Sequence, residues 1–158
     1  MSGTAAHQAR LAFLVRVVEK KIYHLDYADQ QVFNPLLEFE QISGLDQNPE
    51  LALKIEAFTS RFCRLQDTLG DKLLPALLKA LGESEQALLI NLNKAEKYGW
   101  LSSAEVWMQL RQLRNQMIHE YIEDLRILYN ALIYAHDHLI VLKSFANHLI
   151  NQVNEYAQ

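Results

Sequence analysis

The sequence predicts an all-α protein, an antiparallel up-and-down bundle of about five helices. Three observations carry this expectation. Apolar residues recur at three- and four-residue steps through most of the chain, the period of one buried helical face. Breakers are few, with 5 Gly and 3 Pro in 158 residues, which favours long helices over many short strands. No segment carries a strand pattern that competes. Residues 1–158 are read as a single domain, since a chain this long buries roughly 70% of its unfolded surface without a staple.

The first helix is expected from about Ala5 to Gln30, with Leu11, Leu14, Val15, Val18, Ile22 and Leu25 on one face. It should stop before Asn34-Pro35, because a residue ahead of proline avoids the α region. Phe33 to Gln47 reads as a connection with a short helical turn at Leu36 to Ile42. Asn48-Pro49 is a start signal, a capping Asn followed by Pro at the first helical position. The second helix carries Leu51, Ile55, Phe58, Phe62, Leu65 and Leu69 on one face. Pro75 should kink or split it, and Gly82 should end it. A third helix is expected from Ser84 to Tyr98, closed by Gly99. Ser102 and Glu105 have capping-box spacing for a fourth, ending near Glu123. Asp124 can cap a long fifth helix through Leu128, Leu132, Leu139, Leu142 and Leu149.

Cys63 is the only cysteine, which excludes an intramolecular disulfide and a thiolate zinc cluster and suits a reducing cytoplasm. The N-terminal residues lack a basic start followed by an apolar run, so they do not read as a signal peptide. No stretch approaches the roughly 18 apolar residues needed to span a bilayer. The net charge of −4 is poorly suited to broad electrostatic capture of nucleic acid. A nucleic-acid substrate would have to be gripped locally, or at a site built from two subunits.

One dense polar cluster stands out, Arg111-Gln-Leu-Arg114-Asn115-Gln-Met-Ile-His119-Glu-Tyr121, on the fourth helix. Asn115 and His119 lie one turn apart, and Arg114 and Tyr121 share a second stripe. One surface would then present an imidazole, an amide, a guanidinium and a phenol. Such a trio of Arg, His and Tyr arises by chance in roughly one chain of this size in a few hundred. An Arg beside a His on a helix is also commonly a solvated surface pair.

The segment RNQMIHEY resembles the HEPN motif, an Arg followed after four to six residues by His, here with Tyr two positions further. That fuller form is similar to HEPN toxins paired with minimal nucleotidyltransferase (MNT) antitoxins, and the likeness extends over the helices from about Leu51 to Leu149. The resemblance implies a metal-independent endoribonuclease toxin of a type II/VII-like toxin–antitoxin pair, with RNA as substrate and no cofactor. Two copies of the motif would face each other across a homodimer. His119 would be the general base or acid, histidine being the side chain that exchanges protons near neutral pH. Arg114 would give a bidentate fork to the phosphorane oxygens, and Asn115 would orient His119 or the phosphate. Tyr121 would accept AMP from the nucleotidyltransferase, or only pack at the dimer seam. The rival is a non-catalytic substrate-binding subunit of a nucleotidyltransferase, which similar helical proteins also resemble.

Other residues carry weaker signals. His136 and His138 point in nearly opposite directions on a helix, a poor metal pair, and read as surface or interface residues. Arg61, Arg64 and Asp67 could line the cleft or form a plain surface ion pair, the commoner arrangement. Cys63 reads as a small buried hydrophobe. No Gly-rich phosphate loop, HExxH motif or carboxylate pair placed for magnesium is present. The Gly-Ser and paired-Asp signature of a nucleotidyltransferase is absent as well.

Overall fold

A computed structural model describes the backbone of residues 2–158 and the side chains of residues 3–119 and 123–158. The fold is all-α, with no strand among the described residues. Helix α1 (Ser2–Phe33) stops just ahead of Asn34-Pro35, as the proline requires. Helix α2 (Phe39–Ser43) begins later than the expected turn because Glu38 and Gln41 form a capping box. The backbone N–H of Glu38 donates to Gln41 Oε1 at 2.9 Å. A 3-10 turn, Leu45–Gln47, leads to Asn48. Asn48 Oδ1 accepts from the Leu51 N–H at 3.1 Å and starts α3 (Pro49–Thr68).

The expected second helix is broken earlier than Pro75. A widened π turn, Leu69–Leu73, separates α3 from α4 (Leu74–Ala80). Proline cannot donate to a carbonyl four residues back, and one π turn ahead of it absorbs the missing bond. Gly82, at φ 88°, ends α4 in a Schellman motif: the Glu83 N–H donates to the Leu78 carbonyl and the Gly82 N–H to that of Lys79, both at 3.0 Å.

Helix α5 (Leu88–Lys97) starts four residues after the expected Ser84. The segment before it is held by tertiary contacts instead. The Glu83 carboxylate accepts from the Tyr98 hydroxyl at 3.1 Å and meets Lys94 Nζ at 3.3 Å. Gly99, at φ 80°, closes α5 as expected.

Helix α6 (Ala104–Glu123) is capped one residue later than its spacing suggested. Ser103 Oγ accepts from the Val106 N–H at 3.1 Å, and Glu96 takes the Ala104 N–H at 2.7 Å. Asp124 Oδ1 accepts from Arg126 and Ile127 and starts α7 (Leu125–Asp137). The long fifth helix is in fact two. The chain turns at His138, whose Nδ1 lies 2.9 Å from the Tyr134 carbonyl, and α8 (Leu139–Ala157) follows.

Three of the long pairings can be read from cross-contacts. Phe33 meets Phe58 at 5.0 Å between ring centroids, while His24, nine residues back, meets Arg61; α1 and α3 therefore run antiparallel. Asp67 with Arg114 and Asp71 with Arg111 give the same sense to α3 and α6. Asp26 binds Lys143 at 3.0 Å, joining α1 to α8. His136, expected at the surface or an interface, is half-buried between two helices. Its Nδ1 lies 2.7 Å from Asp29 Oδ1, and its ring stacks on Phe33 at 4.2 Å, tying α7 to α1.

The core is one connected cluster, with Trp107 its largest fully buried side chain. Trp107 packs edge-on against Phe145 of α8 at 5.0 Å and over Gly70 of the π turn. A Cβ on Gly70 would stand 3.4 Å from Trp107 Nε1 and 3.3 Å from Leu88 Cδ1. Among the described residues no helix is long and apolar enough to cross a membrane.

The cap at Asn48 gives a direct test of this local reading. Asn48→Ala should lower stability by about 1 kcal/mol in urea denaturation. An unchanged midpoint would mean that Pro49 alone starts α3.

Candidate functional site

Seven residues separate Trp107 from Arg114, two turns, so the buried indole aims Arg114 at α3. There the guanidinium meets Asp67 end-on, Nη1 to Oδ1 at 3.0 Å and Nη2 to Oδ2 at 2.8 Å. The two side chains are 31% and 35% exposed, so solvent screening limits the pair to ~1 kcal/mol of stability or less. The hydrogen bonds to Asp67 push the Arg114 pKa further up, against a smaller opposing effect of burial. One turn back, Arg111 meets Asp71 more loosely at 3.8 Å.

The expected convergence on α6 is thereby divided. Asn115 and His119 lie one turn apart, both exposed, and neither makes a side-chain hydrogen bond to another described residue. Five residues turn the helix by about 140° net, so His119 projects well away from Arg114. The structure brings Arg114 to Asp67, not to His119. The fork expected to face a phosphate is occupied at its tips by a carboxylate, leaving three of its five N–H donors. The side chain of Tyr121 lies outside the described residues.

Between α3 and α6 runs a groove of about 460 Å³, lined by Glu56, Thr59, Ser60, Cys63 and Arg64 on one side and Arg114, Met117 and Ile118 on the other. Thr59 Oγ1 is buried there without a hydrogen-bond partner among the described residues. A larger hollow, about 540 Å³, follows α8 beside Ile140, Lys143 and His148, and includes no residue of α6.

The ion pair expected within α3 does not form. Asp67 is turned to Arg114, Arg61 donates to the His24 carbonyl at 2.9 Å, and Arg64 stands exposed at the groove. The carboxylate that matters for Arg114 therefore lies 47 residues away in sequence, and no local spacing signals it. Arg61, Arg64 and Asp67 were visible as charged residues on an amphipathic helix, but their partners were not.

Cys63 is buried, as its neighbours suggested. Burial pushes its thiol pKa up; the Arg114 charge opposes this, and Asp67 adds to it. Among the described residues no three His, Cys, Asp or Glu side chains cluster to hold a metal ion. No protein-family model, no characterised protein and no solved structure matches this chain.

The raised thiol pKa has a definite sign. Folding favours the neutral thiol, so its contribution is present below the ordinary thiol range and is lost as pH rises through the folded-state pKa. Stability should fall between pH 8 and pH 10 more in the wild type than in Cys63→Ala, measured by urea denaturation at each pH. Native Cys63 should also react with a thiol reagent far more slowly than the unfolded chain. Equal rates would contradict the burial.

Proposed function

We propose that the chain is a metal-independent ribonuclease toxin, active as a homodimer and restrained by a minimal nucleotidyltransferase antitoxin. The observation that supports this reading is the exposed Asn115–His119 pair, unengaged among the described residues, on the same helix that holds Arg114 at the mouth of a groove. An accessible imidazole beside an amide is what a proton-transfer group on RNA requires.

In this mechanism a base removes the ribose 2′-hydroxyl proton, and the 2′ oxygen attacks the adjacent phosphorus. The 5′ oxygen leaves with a proton from an acid, giving a 2′,3′-cyclic phosphate and a 5′-hydroxyl end. His119 takes one of the proton-transfer roles. The N–H groups of Arg114 not bound to Asp67 stabilise the phosphorane charge. Because Arg114 and His119 diverge on one helix, a complete site draws on two copies of α6 about a twofold axis. Ile118, beside His119 and 54% exposed, supplies apolar contact for that pairing. AMP on Tyr121 would add phosphate charge that competes with RNA for Arg114.

One observation favours the second reading, a non-catalytic partner subunit of a nucleotidyltransferase. Asp67 already neutralises Arg114, which weakens any pull on a phosphorane.

Single-turnover cleavage of a labelled RNA separates the two. His119→Ala should slow cleavage ~100- to 10,000-fold, and Arg114→Ala ~100- to 1,000-fold, with helicity retained in circular dichroism. The two losses should not add if they act on one transition state. Activity should survive EDTA, and sedimentation should show twice the 18.3 kDa chain mass. Wild-type cleavage by a folded His119→Ala protein, or no cleavage by the parent, promotes the partner-subunit reading.

A further inference from the structure

We infer that the outward face of α1 is a binding track for single-stranded RNA, leading through Arg64 to the groove at Arg114. This deepens the ribonuclease reading and rests on it only for the fate of the bound RNA. The inward side of α1 is buried in the core through Leu11, Leu14, Val18 and Leu25. Its outward side has an unusual composition. Arg10, Phe13, Arg16, Lys20, His24 and Tyr27 fall within about 120° of one another around the helix. The two acids of that stretch, Glu19 and Asp26, lie outside the sector, and Asp26 is committed to Lys143.

A solvated helix face ordinarily mixes charge signs and makes ion pairs along its length. Here Arg10, Arg16, Lys20 and Lys21 make no ion pair among the described residues. Phe13 is 47% exposed and Tyr27 60%. The guanidinium carbons of Arg10 and Arg16 each stand 6.0 Å from the Phe13 ring centroid. Basic side chains interleaved with exposed rings match single strands, whose phosphates take the cations and whose unstacked bases lie on the rings.

The face continues onto α3. A hollow of about 260 Å³ between the two helices is lined by Lys21, His24, Arg61 and Arg64 and by no acid. Arg64 also lines the groove that holds Arg114. The cationic surface thus reaches Arg64 at the edge of the groove, where Glu56 is the one acid among the lining residues, in a protein whose net charge is −4. A duplex keeps its bases stacked and would leave the rings unused. A membrane-surface helix needs a continuous apolar face for lipid, and that side of α1 is already buried in the core.

The experiment uses the full chain carrying His119→Ala, so that cleavage does not consume the probe, and a labelled unstructured oligouridine read by fluorescence anisotropy over a salt series. Lys20→Glu with Lys21→Glu should weaken binding on the order of ten-fold for each lysine that grips a phosphate. The slope of log affinity against log salt should become shallower by about 0.7 for each phosphate no longer neutralised. Tyr27→Ala should weaken binding on the order of ten-fold with the salt slope unchanged, since stacking releases no counterions. Lys97→Glu, an exposed reversal on α5 equal in charge to either of the two α1 lysine changes taken alone, should alter neither. Circular dichroism checks that each variant is folded. The track is overturned if the α1 variants bind as tightly as the parent, or if Lys97→Glu weakens binding equally. It is also overturned if the parent ignores RNA and binds anionic vesicles or an acidic peptide instead. Binding through α1 by a chain that cuts nothing before the His119 change would sink the nuclease and leave the track standing. Cleavage with α1-independent binding would do the reverse.

Discussion

The seating of Trp107 over Gly70 governs the geometry of everything near the groove. Its indole lies where a Cβ on residue 70 would crowd Nε1 at 3.4 Å, and Phe145 backs the ring from α8. Gln66 Nε2 approaches the carbonyl of the same tryptophan at 3.4 Å. These contacts set the rotation of α6 about its own axis. A slip of one residue would turn each side chain by about 100° and carry Arg111 and Arg114 away from Asp71 and Asp67. The ion pairs are therefore consequences of apolar packing two turns away and add only modestly to it.

Helix α3 changes sign along its length. Arg61 and Arg64 face α1, where they meet Lys21 and His24. Asp67, with Asp71 of the π turn, faces α6, where each is matched by an arginine. Acid and base are matched where α3 faces α6 and left unbalanced in the hollow it shares with α1. A formal charge summed over the chain hides this division. The acidity that argued against nucleic acid is a property of the total, not of the outward face of α1 and the hollow it shares with α3.

What was legible in the sequence was local. The apolar periods of α1 and α3, the caps at Asn48 and Asp124 and the stops at Gly82 and Gly99 each depend on neighbours within a few residues. The errors share the opposite cause. The late start of α5 is decided by Glu83, whose partners Lys94 and Tyr98 lie on the far end of α5. The break at His138 follows from its ring bonding and stacking on Tyr134, in a run whose apolar period gives no hint of it. The same holds for the motif. The spacing from Arg114 to His119 was plain, and so was the single turn between Asn115 and His119. That Arg114 would turn inward to a carboxylate depends on how α6 docks, which spacing does not encode.

The Asp67–Arg114 contact bears on how such chains are told apart and how they diverge. A search that scores only the stretch from Arg114 to Tyr121 is blind to position 67, although that side chain sets how much positive potential the arginine shows to solvent. Asp and Asn have nearly the same shape, and their codons differ at one base. A duplicated gene could therefore acquire a differently charged groove in a single mutational step, with the segment from Arg114 to Tyr121 letter for letter unchanged. Sorting the descendants of such a duplication would take the amino acid at 67 as well as the arginine–histidine spacing.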